Sequence, residues 1–343
     1  MADVMKQVLL KARPQGFPKA SDFTTETAPI PTPGPDQMLL RTIWLSVDPF
    51  MRLGLDEKPL GGNNGVPLDS VMIGDAVSEV VESNLEGYAP GDFVICRSGW
   101  REYAVVGAGT QNLRKIEPAK NAPLSGAIGA LGMPGQTSYA GMVTVGRVRE
   151  GETVVISAAA GAVGIIAGQI GKLKGARVVG IAGGAEKCAA VVAAGFDACV
   201  DYKAADFEEK LKAAVPDGID LYFDNVGGDV THTVLPLVKY GARWASCGFI
   251  SNYDVPDYGP GPDRMPWLLR MIMLKGLEIR GFNGAIVGGK PALDQMRAWV
   301  EDGSIKIKQT VFDGIEKAPV AFESLFKSNA NVGKVVIKVA KDA

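Results

Sequence analysis

Val154-Val155-Ile156-Ser157-Ala158-Ala159-Ala160-Gly161-Ala162-Val163-Gly164 is the stretch whose reading decides the fold. A β-branched apolar run stops at small residues, and the text beyond it places Val163, Ile166, Ile170 and Leu173 at three- and four-residue spacing, the period of a helix. Gly175 then offers a helix stop. Strand, small-residue turn and helix in that order bring a phosphate group to a helix N-terminus, where backbone N–H groups converge and the helix dipole favours negative charge. The small side chains let the backbone approach a pyrophosphate. A tight strand-to-helix turn without a ligand is the plain alternative, and the repetition of the pattern downstream favours the dinucleotide.

From about residue 126 to 300, short apolar strands alternate with amphipathic helices, the signature of a doubly wound α/β (Rossmann) domain with a parallel sheet. Strands are expected at Thr153 to Ser157, Arg177 to Ile181, Ala198 to Val200, Asp220 to Phe223, Ala242 to Ser246 and Leu277 to Arg280. Residues 1 to 125 read differently. Runs such as Met38 to Ile43, Ala76 to Val81 and Asp92 to Ile95 are separated by turn signals, among them Pro33-Gly34-Pro35 and Pro90-Gly91-Asp92, and point to an antiparallel barrel-like domain. The tail from 301 to 343, with Lys334 to Val339 its clearest strand, is expected to rejoin that barrel, so the nucleotide fold is an insertion within a split domain.

Composition removes several function classes. The 343 residues suffice for two cores, and a formal charge of −2 without a basic stripe argues against a nucleic-acid partner. No apolar run reaches the roughly 20 residues of a bilayer span, and Met1 to Lys11 is too polar for a signal peptide, so a soluble cytoplasmic protein is expected. Cys96, Cys188, Cys199 and Cys247 are scattered without C-x-x-C spacing, and His232 is the sole histidine; no cluster resembles a zinc site, and the cysteines read as core residues. No metal is expected.

Cofactor selectivity rests on the tip of the second strand, where an NAD site usually carries an acidic residue for the ribose. This chain has Ile181-Ala182-Gly183-Gly184-Ala185-Glu186-Lys187. The glycines leave room for a 2′-phosphate and Lys187 could neutralise it, which favours NADPH. Glu186 opposes that reading if it faces the ribose, and a solvated Lys187 at a helix start is the alternative.

Further segments join these: Val47-Asp48-Pro49-Phe50-Met51-Arg52, Leu131 to Tyr139, Gly168-Gln169-Ile170, Asp224-Asn225-Val226-Gly227-Gly228, Cys247 to Tyr253 and Asn331-Val332-Gly333-Lys334. With the glycine turn, this ordered set resembles the zinc-free branch of the medium-chain dehydrogenase/reductase superfamily, the branch of prostaglandin reductases, leukotriene B4 dehydrogenases and NADPH-dependent alkenal double-bond reductases. The resemblance covers nearly the whole chain and implies a GroES-like catalytic domain carrying an inserted Rossmann domain. It implies that Gly161, Ala162, Val163 and Gly164 hold the pyrophosphate, Lys187 and Tyr202 the 2′-phosphate and Asn225 the ribose region. Cys247, Gly248, Ile250, Ser251 and Tyr253 would line the nicotinamide side, with Phe282, Asn283 and Asn331 as further contacts. The chain departs from the family pattern at Phe50, often Tyr, and at Asp254, often Asn.

The activity so implied is hydride transfer from NADPH to the β-carbon of an α,β-unsaturated aldehyde or ketone, followed by protonation of the enolate. Tyr253 is the candidate proton donor, helped by a ribose hydroxyl; a tyrosine that only packs on the nicotinamide is the other reading. A zinc-free NADPH quinone reductase and a non-catalytic NADPH-binding protein are the competing functions. His232, on an expected helix, reads as structural, and Trp100, Tyr103, Trp267 and Met271 read either as a pocket wall or as core. The apolar Met265 to Leu274 segment and the edge strand at Leu277 to Arg280 point to a pocket cap or a homodimer contact.

Overall fold

The computed structural model describes residues 3–57, 59, 65–254, 263–327 and 331–341. Two loops were expected to shape a pocket, Asp56 to Leu68 and Asp254 to Arg264; their residues 58, 60–64 and 255–262 lie outside the described residues. From the glycine turn outward the chain alternates β1 (Thr153–Ile156), α1 (Ala162–Leu173), β2 (Arg177–Ala182), α2 (Ala185–Ala193), β3 (Ala198–Asp201), α3 (Phe207–Ala214), β4 (Ile219–Asp224), α4 (Gly228–Val234), β5 (Val238–Ser246), α5 (Met265–Lys275), β6 (Glu278–Gly281) and α6 (Gly284–Glu301). The strands pair in parallel in the order β3-β2-β1-β4-β5-β6. This is the doubly wound order, and its direction reverses between β1 and β4, where a crevice opens beyond the carboxyl ends of the strands.

All six expected strands are present. β5 begins at Val238, earlier than the expected Ala242, because the exposed Tyr240 and Gly241 interrupt its apolar pattern without ending the strand. β1 is buried along its whole length and the core beneath β4 and β5 is built from Val155, Val179, Ile219, Tyr222, Val234 and Leu235. Helix α1 deviates from its periodic reading at one position. Leu173 is exposed, whereas Gln169 is buried, donating through Nε2 to the Ile165 and Lys306 carbonyls and accepting from the Lys306 amide.

This compact unit comprises Gly129–Lys308 and Ala330–Lys334; a second unit comprises Met1–Ile128, Gln309–Asn329 and Val335–Ala343. In the second unit a seven-stranded sheet pairs Gln37–Ser46 with Ala76–Ser83, Tyr103–Gly107 and, antiparallel, the C-terminal Lys334–Lys338 through Val336↔Ser46 and Ile337↔Leu45. Trp100 is fully buried there, 5.5 Å from the Phe23 ring and edge-on to Phe322 at 5.7 Å, so it is core and not a pocket wall. Arg52 is buried as well: its Nε donates to the Gly16 carbonyl at 2.9 Å and its Nη1 to Asp56 at 2.8 Å, while Ser46 donates to Asp48. The Asp48 to Arg52 segment is thus pinned at both ends by its own side chains.

Helix α1 lies so close to the connection between α2 and β3 that a Cβ on Gly168 would stand 1.8 Å from the Phe196 ring. Gly168→Ala should therefore overpack this layer and lower stability by about 1–3 kcal/mol, with Phe196→Leu restoring part of the loss. Thermal unfolding of the two single variants and the double variant checks this; a Gly168→Ala protein as stable as the parent would contradict the packing.

Candidate dinucleotide site

The floor of the crevice is organised by the last residue of β4. Asp224 is 1% exposed and has no cationic partner among the described residues. Its Oδ1 accepts from the Ser157 hydroxyl (2.8 Å), the Tyr222 hydroxyl (2.8 Å) and the amides of Val226 (2.9 Å) and Gly227 (3.0 Å), and its Oδ2 from Thr231 (2.7 Å). Burial and the adjacent carboxylate hold the Tyr222 hydroxyl far above the ordinary tyrosine range, so it remains a donor. The Asp224 carbonyl accepts from the amides of Cys247 (2.8 Å) and Gly248 (3.1 Å), tying β5's exit to β4. Asn225 is locked beside β1, its amide donating to Ser157 Oγ and its Nδ2 to the Ser157 carbonyl, both at 2.8 Å.

Beyond Asn225, the Ile250 amide donates to its carbonyl at 3.2 Å, and Ser251 bonds the Val226 carbonyl through both its amide (3.1 Å) and its hydroxyl (2.6 Å). Phe249 meets Tyr253 edge-on at 4.9 Å, and Tyr253 is half-buried. Asn225, Cys247, Gly248, Ile250, Ser251 and Tyr253 are accordingly brought into one neighbourhood by backbone bonds that converge on Asp224 and its two followers. Burial, reinforced by Asp224, pushes the Cys247 thiol up to about 12, which leaves it a protonated, unreactive wall.

At the start of α1, Gly161 is the N-cap and supplies no side-chain acceptor to the first turn. Ala158 sits at φ 47°, in the left-handed region a dinucleotide turn demands and a glycine would occupy without strain. Gly164 serves packing: a Cβ there would fall 2.4 Å from the Ala158 carbonyl oxygen. The Gly333 amide donates to the Ala160 carbonyl at 2.8 Å and Gly333 pairs in parallel with Gly161, so the segment carrying Asn331 lies against the glycine turn.

At the tip of β2, Lys187 in the first turn of α2 is half-buried, and its pKa is lowered by burial and by the nearby Lys203. Neither lysine closes an ion pair within 4 Å among the described residues, although the charge of Lys203 is felt by the Asp201 carboxylate. Tyr202 and Lys203 lie against Gly183, where a Cβ would be 2.8 Å from the Tyr202 ring and 3.2 Å from Lys203 Cε. The Asp201 carboxylate, lowered in pKa by accepting from the Gly184 (2.8 Å) and Lys203 (3.0 Å) amides, fixes this arrangement. Lys203 was not read from the sequence; its position one residue after Tyr202, at the end of β3, was the available signal. Glu186 is exposed.

Phe282 packs edge-on against Phe223 at 6.1 Å, and Asn283 caps α6, its Oδ1 accepting from the Ala285 and Ile286 amides at 3.1 and 3.3 Å. His232 stacks on Trp267 at 4.1 Å, joining α4 to α5. Neither Tyr103 nor Met271 lines the cavity of about 770 Å³ that lies in the N-terminal unit among Phe50, Leu53, Val66, Ile73, Arg97 and Gln111. Among the described residues no group of three or more His, Cys, Asp or Glu could hold a metal ion, and no helix is long and apolar enough to cross a membrane.

Residues 6–116 match a family described as the N-terminal domain of oxidoreductase, and residues 162–301 one described as zinc-binding dehydrogenase. The chain is 44% identical over 338 residues to the NADPH-dependent curcumin reductase of Escherichia coli (strain K12), covering 97% of this chain and 96% of that protein. It is 39% identical over 333 residues to prostaglandin reductase 1 of Oryctolagus cuniculus, covering 96% and 92%. The crystal structure of CurA in complex with NADPH from Vibrio vulnificus superposes with a TM-score of 0.90 at 40% identity, over 98% of this chain and 100% of that one.

Removing the central acceptor should be costly. Asp224→Ala removes the acceptor of two half-buried amides and of the buried Ser157, Tyr222 and Thr231 hydroxyls, of which only Tyr222 and Thr231 can still bond each other, and should lose about 3 kcal/mol or more, whereas Asp224→Asn retains the Oδ1 acceptor and should lose less. Urea unfolding of both variants measures the difference, and equal losses would contradict the arrangement.

Proposed function

The chain belongs to the zinc-free medium-chain dehydrogenase/reductase family, and from that premise we propose that it is an NADPH-dependent reductase of the C=C bond of α,β-unsaturated aldehydes or ketones. The observation that carries the cofactor half is the pair Lys187 and Lys203, two like charges close enough to perturb each other that close no ion pair within 4 Å among the described residues, set around Gly183 at the tip of β2. A 2′-phosphate satisfies both charges; a bare ribose hydroxyl satisfies neither. The uncapped first turn of α1 fits the pyrophosphate, and the Asp224-anchored segment from Cys247 to Tyr253 fits the nicotinamide side. The relatives named for NADPH-dependent curcumin reduction and prostaglandin reduction support the same reading.

NADPH, when bound, supplies a hydride to the β-carbon of the conjugated alkene. The chain's own residues supply the rest. The buried floor around Asp224 and Tyr222 keeps water from the reacting face. Tyr253, beside Phe249 and close to the Gly248 backbone, provides a phenolic O–H that hydrogen-bonds the developing enolate and delivers a proton to the α-carbon.

The working form is read as a homodimer. β6 is exposed along its length, and Tyr240, Met273 and Leu269 beside it are 82%, 72% and 57% exposed, a long open edge with apolar neighbours that a second copy would cover. Light scattering at micromolar concentration should give twice the chain mass; a monomer would contradict this.

Following loss of NADPH absorbance against enals, enones and quinones tests the reaction, with turnover of quinones alone counting against it. Lys187→Ala should raise KM for NADPH by about tenfold while leaving NADH kinetics unchanged, the loss of one charge-assisted contact. Tyr253→Phe should lower kcat by about tenfold or more; full turnover in that variant would assign the proton to water.

A further inference from the structure

Two of the four cysteines, eleven positions apart, are brought together by the fold. Cys199 on β3 pairs in register with Gly180 on β2, so its side chain projects to the same face of the sheet as the space above Gly180. That space is filled by α2, since a Cβ on Gly180 would lie 2.8 Å from Val191 Cγ1. Cys188 precedes Val191 by one helical turn and shares its face of α2. The two thiols thereby face the same α2–β3 interface, close enough for each to perturb the other. Neither cysteine is fully buried, unlike Cys96.

The pair stands at the cofactor end of these elements. Cys188 follows Lys187 directly, and Cys199 lies on the strand that leads into Tyr202 and Lys203. We propose that Cys188 and Cys199 form a reversible disulfide, made by a hydroperoxide, whose closure weakens NADPH binding. The second half of this rests on Lys187 contacting the 2′-phosphate. Cys188 is the attacking sulfur, being the less deeply set: burial raises both thiols, Cys199 further than Cys188, so Cys188 supplies the larger thiolate fraction. Its thiolate attacks one peroxide oxygen; the O–O bond breaks, leaving a sulfenic acid and releasing water or an alcohol. The Cys199 sulfur then attacks the Cys188 sulfur, the S–S bond forms, the S–O bond breaks and a second water leaves. Two thiols are oxidised and one peroxide is reduced. Drawing the sulfurs from contact to a bond of about 2 Å pulls the first turn of α2 towards β3 and displaces Lys187 relative to Lys203 and Tyr202. Dithiothreitol reverses the step.

The test treats the whole protein with excess hydrogen peroxide, quenches it, and maps peptides without reduction. The expected result is a linked Cys188–Cys199 peptide, a mass lower by two hydrogens, and a several-fold rise in KM for NADPH with kcat at saturating NADPH retained, all reversed by dithiothreitol. Cys188→Ser and Cys199→Ser should keep the untreated KM after the same exposure. Both thiols still open to maleimide, or Cys188 driven to a sulfinic acid without a link, overturns the disulfide. A linked peptide with unchanged KM for NADPH overturns its effect on binding. The peptide map does not depend on the cofactor assignment, so a Lys187→Ala variant with ordinary NADPH kinetics would fail that assignment separately.

Discussion

A single carboxylate, buried without a counter-ion, is what the rest of the site is arranged around. A charge taken from water is tolerated only where donors replace its hydration, and Asp224 receives five, from β1, from β4, from the turn that follows it and from α4. Each donor fixes an element. Ser157 sets the end of β1, Tyr222 the interior of the sheet, the Val226 and Gly227 amides the turn, and Thr231 the first helix beyond it. Because the same residue's carbonyl receives Cys247 and Gly248, the segment leaving β5 has one permitted path, and it is the path that carries Tyr253 to the crevice.

Two helix starts in this unit show how differently the same backbone problem is handled. α6 begins at Asn283, whose side chain accepts from two of the orphan amides, leaving little for a ligand to satisfy. α1 begins at a glycine with no side-chain acceptor, so its first-turn amides are left for an anion. Holding Ala158 in a left-handed conformation is the local cost of that turn. At the tip of β2 charge is carried by side chains: burial and the neighbouring Lys203 lower the pKa of Lys187, and an anion between the two lysines would relieve that repulsion.

The same crossover from β2 through α2 to β3 sets both the lysine pair and the thiol pair, since α2 must cover the sheet face above Gly180. One packing arrangement therefore places both pairs. Elsewhere the regularity of the sheet leaves its mark as exposure: β6 closes one side with no strand beyond it among the described residues.

Local sequence pattern determined the alternation of strands and helices and the glycine turn, because buried parallel strands read as short β-branched runs and phosphate turns need small residues in fixed order. Strand order, the meeting of Cys188 with Cys199, and the company of Lys203 were settled by the tertiary structure. So were the burial of Gln169 in place of Leu173 on α1, the placing of Trp100 in the core, and the capping role of Asn283. Each depends on which element lies across from which, a fact set by long-range packing and pairing that no local period encodes. The five donors of Asp224 make the point most plainly: its own text, Phe223-Asp224-Asn225, names a carboxylate, and only the fold supplies the donors that surround it in the interior.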